Sequence, residues 1–437
     1  WILGLVFAAN VAALARPSLG SRAWWAGTFA LLVPAVSNGM SAPLNDVALA
    51  SFGTAAIFAW TRFMDRWSVR SAIVAGIFCG LAIGVKYPAL VLAAILVAGI
   101  LLRPLVRPPA SWNDGLTRAF GHAIVFSCAT ILVGGCWYLR AYVYTGNPVF
   151  PFFRDWFGGS GLDVVLDPIK RPLTVTPLSV LTSLFPLTVD PQRFDSFAHQ
   201  FGPLFLLFLP AIFLEKTPRS VLGLVGLGYL FLMLCMTQRQ SMRFLLIAVG
   251  PMAIASAYLA LRWADRRTVP ARLLTTIVLM VVVFETGIAT TRGIRAAQTV
   301  LGTESFERFL HREEPTYRVG AWIHHHLPSN ARLIGQDHRG FYIPRDYTME
   351  LAHRRRTGLG ENGETPAQII ETLKAEGYTH LLLCPPTDDS SIEFDPTLTR
   401  LLSNWLDLRR PLYHAELADG EGNAREYSIY DLQAVAE

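Results

Sequence analysis

The feature that most constrains this chain is a recurrence of apolar segments with arginines gathered at alternate ends. The segments run at about 1–15, 23–39, 47–61, 71–85, 88–102, 119–136, 201–214, 220–236, 244–261 and 272–290. Repeated apolar runs of this kind suit lipid as a solvent. A chain that is 52% hydrophobic and 16% charged, with mean hydropathy +0.36, is too apolar for an ordinary soluble fold. The pattern predicts a mainly α protein: a polytopic transmembrane helical bundle with about ten spans. The net charge of +5 does not mark a nucleic-acid partner, because the basic residues stand at the ends of apolar segments, where they set topology.

The cations collect in one set of connections, which holds Arg16 and Arg22, then Arg62, Arg66 and Arg70, then Arg103, Arg107 and Arg118, then Lys216 and Arg219, then Arg262, Arg266, Arg267 and Arg272. These loops are expected to face the cytoplasm. An even number of crossings separates two loops on one side, so Ser71 to Leu102 is read as two spans hinged at Lys86-Tyr87-Pro88. Each half has about 15 residues, roughly 22 Å of helix, against a hydrocarbon core of about 30 Å. The hinge is therefore expected below the lipid surface, where irregular backbone needs protein or a water-filled cavity around it and a lysine needs an anionic partner. Gly76, Gly80 and Gly84 ahead of it form a ridge without side chains, suited to close helix packing. The same parity places four regions outside: the connection with Asn45 and Asp46, the hinge, the interval 137–200, and the turn from Gln238 to Arg243. The chain after about residue 292 joins them.

The interval opens with WYLRAYVYTGNPVFP, Trp137 to Pro151, whose rings suit a headgroup boundary and whose Arg140 can hold an anion bidentately. Loops of this length are usually functional. Thr174 to Val189, interrupted by Pro177 and Pro186, is expected to lie as a short interfacial helix near 174–189. Asp46 stands just before an apolar span, where a carboxylate either caps the helix or is used. Lys86, Arg140, Arg239 and Arg243 share the face where cations should be few, and together they would suit a phosphate. Adjacent His324, His325 and His326 point apart on a helix and cannot share one metal. The five cysteines show no disulfide or metal spacing and are read as small buried hydrophobes.

After residue 292, charge and turn residues return. The expected elements are a helix over Pro315 to Leu327, a strand over Arg332 to Gln336, a capping box at Thr365 to Gln368 opening a helix that ends near Gly377, and a buried strand over His380 to Cys384. A helix near Leu398 to Leu406 and strands at Tyr413 to Leu417 and Glu426 to Tyr430 complete a small extracytoplasmic α/β domain, 293–437, behind a membrane domain of 1–292. The chain opens on Trp1 inside an apolar run, without a methionine or signal-peptide n-region, so further residues are expected upstream.

The order of Asn45-Asp46, GLAIGVKYPALVLA (Gly80 to Ala93), WYLRAYVYTGNPVFP and RQSMRF (Arg239 to Phe244) resembles the polytopic GT-C glycosyltransferases, and within them the bacterial relatives of protein O-mannosyltransferases and aminoarabinose lipid A transferases. The resemblance covers about residues 1–290. It implies transfer of a sugar from a polyprenyl-phosphate carrier to a protein, lipid or glycan acceptor on the extracytoplasmic face of a bacterial inner membrane, with no nucleic acid involved. It also implies that the family's main acidic residue lies in a loop upstream of Trp1, that Asp46 is an accessory active-site carboxylate, and that Lys86, Tyr87, Tyr138, Arg140, Arg239 and Arg243 face the carrier phosphate. No cofactor is specified, although a divalent metal is used by some relatives. On this reading Arg140→Ala and Arg243→Ala each cut transfer strongly. A lipid-linked sugar flippase would instead place charges at the bilayer midplane within an inverted repeat, which the sequence does not show. A non-catalytic membrane-anchored relative is the other alternative.

Overall fold

The computed structural model describes the chain apart from residues 41–43, 151, 159–171, 195–199, 239, 267, 351–358, 360–362, 388–396, 421 and 435–437. It divides into two compact units, Trp1–Gly159 with Ile169–Arg292, and Ser160–Pro168 with Gly293–Glu437.

The first unit is helical. It begins with α1 (Ile2–Leu19), α2 (Trp24–Leu31), α3 (Pro34–Gly39), α4 (Asp46–Arg66), α5 (Val69–Val85), α6 (Pro88–Val106) and α7 (Trp112–Thr145), and continues through helices at Arg219–Met236, Val249–Ala264 and Val269–Val300. Seven helical stretches among the described residues are long and apolar enough to cross a membrane. The remaining expected spans are shorter: α5 and Leu204–Phe213 are apolar but brief, and the segment at 23–39 is split into α2 and α3. The split falls at Pro34, which cannot donate to a helix ladder but suits the first position of a new helix. Exposed Leu132, Phe213 and Val283 give the unit the outward apolar surface that a lipid solvent requires.

Helices α5 and α7 pack closely. A Cβ at Gly76 would stand 2.5 Å from the Phe126 carbonyl oxygen, and one at Gly80 would stand 2.7 Å from that of Thr130. Thr130 Oγ1 donates to the Gly76 carbonyl at 3.1 Å across the same contact. The glycine ridge is thus a packing surface. Cys79 and Cys235 are buried, whereas Cys128 and Cys136 are exposed on α7, contrary to the reading of all five as buried. Thr174 to Val189 holds two short helices, Pro177–Leu181 and Leu184–Val189, with Thr176 and Ser179 forming a capping box.

The second unit carries a five-stranded sheet of order β2-β1-β3-β5-β4, with β1 (Arg332–Gly335), β2 (Asp346–Met349), β3 (His380–Leu383), β4 (Tyr413–Ala418) and β5 (Ala424–Asp431). The first three strands are parallel, and β5 joins β3 and β4 antiparallel. Helix Pro366–Ala375 starts on the expected capping box at Thr365 and Gln368. The helix expected near Leu398 to Leu406 is broken into Thr397–Leu401 and Ser403–Leu406. Strand β2 and helix Phe306–Glu313 were not expected from the sequence. His326 stacks on Trp322 at 4.6 Å, while His324 and His325 meet edge to face.

Candidate active site

Helix α4 begins with Asp46 in its first turn, where a carboxylate complements the helix dipole. Its side chain does more than that. Only 3% of it is exposed, and it takes Lys86 Nζ on Oδ1 at 2.5 Å and Arg243 Nε on Oδ2 at 2.9 Å. The capping role is therefore not the one observed: Asn45 holds the cap position and makes no side-chain cap bond.

Each cation reaches Asp46 for a local reason. Lys86 follows α5 in an extended conformation, φ −163°, and Pro88 opens α6 at its first position, so the hinge cannot continue as helix. The end of α5 leaves carbonyls that lipid cannot satisfy. Tyr138 Oη donates to Ile83 O at 2.9 Å and Asn45 Nδ2 donates to Val85 O at 3.2 Å. The hinge is thereby held against α7 and α4, with Lys86 aimed at Asp46. Arg243 comes from the 3₁₀ turn Met242–Ala248, which leads into Val249–Ala264. Pro251 explains that tight turn, because its ring is incompatible with an α-helical carbonyl at Ile247. The next residue, Phe244, lays its ring 3.8 Å from Lys86 Nζ, a cation–π contact.

Tyr87 stands beside this group. Its hydroxyl donates to Phe150 O at 2.6 Å, and its ring meets Tyr138 and Phe152 edge to face. The hinge thus ties down the start of the long interval. Gln240 holds a later part of it: the buried side chain accepts from Leu173 N at 2.6 Å and donates to Leu173 O at 2.8 Å. Gln240 and Phe244 were not singled out from the sequence, although both lie in the RQSMRF motif. Nor was Glu285, a carboxylate only 5% exposed on the helix Val269–Val300; its signal was a charge inside an apolar run.

Arg140 is not drawn into the group. Tyr138 faces α5, and a residue two positions on is turned by about 200° around the helix. Arg140 is accordingly exposed, with its guanidinium 6.0 Å from the Trp137 ring and 5.6 Å from the Tyr144 ring. Arg239 lies outside the described residues. Among the described residues no group of three or more His, Cys, Asp or Glu gathers that could hold a metal ion.

The arrangement is a buried carboxylate holding two cations that remain partly open, with 19% of the Lys86 side chain and 31% of the Arg243 side chain exposed. Two cations gathered at one carboxylate are of the chemical type that pairs with phosphate. The family model described as dolichyl-phosphate-mannose-protein mannosyltransferase matches residues 1–145. Among solved structures, ArnT from Cupriavidus metallidurans, bound to undecaprenyl phosphate, matches with a TM-score of 0.52 at 14% identity, covering 99% of this chain and 84% of that one. The fold is that of ArnT. Both findings support the GT-C resemblance read from the sequence. No curated protein sequence matches the chain. Within the ArnT-like fold, Asp46 and Lys86 fall in the part that matches the family model, and Arg243 lies beyond it.

Proposed function

We propose that this protein is a membrane glycosyltransferase that moves a sugar from a polyprenyl-phosphate carrier to an acceptor on the extracytoplasmic face. The observation that carries this reading is the convergence of Lys86 and Arg243 on Asp46 at the end of α4. The family match and the ArnT-like fold support the same chemistry.

Sugar transfer displaces the carrier phosphate from the anomeric carbon as the acceptor oxygen attacks. Negative charge builds on the leaving phosphate, and fixed cations at that point lower the barrier. Lys86 and Arg243 are assigned that role. Asp46 is assigned the role of holding them in place: both its oxygens already accept from cations, which leaves it poorly suited to take the acceptor proton. Tyr87 and Tyr138 set the hinge that presents Lys86. Arg140 is left as an anchor at the headgroup boundary.

The test is transfer in detergent micelles from an undecaprenyl-phosphate-linked sugar, where transport across a bilayer cannot contribute to the signal. Lys86→Gln and Arg243→Gln should abolish most transfer while the protein remains folded. Full transfer in both variants would remove the proposal.

A further inference from the structure

Helix α4 has a second site at its other end. A cavity of about 720 Å³ is walled by α1, α4, α6 and the helix Arg219–Met236. That volume lies within the range of about 300–1,000 Å³ typical of ligand sites. Its wall on α4 begins at Phe58, about 18 Å of helix from Asp46 at 1.5 Å per residue, and reaches Asp65. It is thus separate from the Lys86–Asp46–Arg243 group.

The walls are largely apolar, and the rim is basic. Arg62, Arg107 and Arg219 all line it. Arg107 is engaged by Asp65 at 3.0 Å and by the Met64 carbonyl at 3.1 Å. Arg62 lies over the Phe58 ring, and among the described residues neither Arg62 nor Arg219 makes an ion pair. Arg219 opens its helix, an end where a cation opposes the dipole, so helix stability does not account for it. On the same helix Gly223 and Gly226 line the cavity, and a Cβ at either would meet nothing within 4 Å. The wall is open where larger residues would have room.

An apolar cavity between spanning helices, rimmed by three arginines against one aspartate, complements an amphiphile with an anionic head. We propose that it binds one anionic glycerophospholipid, with its phosphate at Arg62 and Arg219 and an acyl chain along the glycine-lined wall. The source is a bilayer lipid of the leaflet at the basic end. The inference is independent of the proposed reaction, because retention of a lipid is read without any transfer.

The experiment is native mass spectrometry of the full chain, delipidated in detergent and titrated separately with phosphatidylglycerol, phosphatidylcholine and undecaprenyl phosphate. Phosphatidylglycerol should be retained about tenfold more tightly than phosphatidylcholine, and the double variant R62Q/R219Q should lose that preference. Gly226→Leu should lower retention of both lipids with an unchanged thermal unfolding temperature. Equal retention of the two phospholipids by the unaltered protein would overturn the proposal without any variant. So would a preference for undecaprenyl phosphate over phosphatidylglycerol that R62Q/R219Q abolishes, or a double variant that keeps the preference for phosphatidylglycerol.

Discussion

The two units each bury an aspartate, and they compensate it in opposite ways. Asp46 is met by two cations, Lys86 and Arg243, that come from distant segments and stay partly open. Asp337, at the end of β1, is met by smaller donors: Thr316 Oγ1 donates to Oδ2 at 2.6 Å and the Arg339 backbone N–H to Oδ1 at 2.9 Å. Tyr347 Oη closes the group by donating to the Asp337 carbonyl at 2.8 Å, while Arg339 itself pairs with Glu314. A carboxylate satisfied by a hydroxyl and a backbone N–H fixes a loop. One met by two partly exposed cations gathers opposite charge from distant segments at one place. Burial alone does not distinguish the two; the identity and exposure of the donors does.

The largest expected effect tests the first half of that contrast. Lys86→Gln and Arg243→Gln should each lower sugar transfer by about 10²–10³, the usual cost of losing one donor to developing charge. Asp46→Asn should lower it nearly as much while the protein still inserts and folds, because both cations are already partly exposed. A fully active Asp46→Asn would make the pair purely structural. Asp337→Ala should show the reverse pattern. It leaves Thr316 and the Arg339 N–H unmet and should cost about 1–3 kcal/mol of stability in the second unit, followed by denaturant or limited proteolysis.

A smaller effect follows from pH. Burial lowers the His338 and His380 imidazoles from the ordinary 6.5, outweighing Asp337 and Asp431 respectively. As the pH falls below 6.5, the unfolded chain takes up these protons first, so stability of the second unit should be full above that value and decline below it. His380→Gln should flatten the slope between pH 7 and pH 5 in thermal unfolding. An unchanged slope would show that buried carboxylates dominate instead. The smallest effect belongs to Arg140→Ala, which should leave transfer within about twofold of the unaltered protein. A large loss there would return Arg140 to the site.

Much of the architecture was legible in the sequence because its causes are local. Apolar runs mark helices in lipid, and the Thr365 capping box and the Pro88 helix start act within a few residues. Strand β2 escaped notice because its four residues, DYTM, gain their order from pairing with β1 rather than from any pattern of their own. The site was half legible. Asp46, Lys86 and Arg243 stood out as charges placed where lipid makes charge costly. Arg140 stood out for the same reason, yet shared depth does not specify which way a helix faces.

By itself the sequence determined a membrane-spanning helical chain followed by a small α/β unit, and which charges beside apolar spans needed partners. Only the tertiary structure decided the partners. Lys86 lies 40 positions from Asp46 and Arg243 lies 197, separations at which no local pattern operates. The backbone breaks at Lys86 and ahead of Pro251 bring the two cations to one carboxylate, and the packing of α5 against α7 turns Tyr138 inward and leaves Arg140 outside.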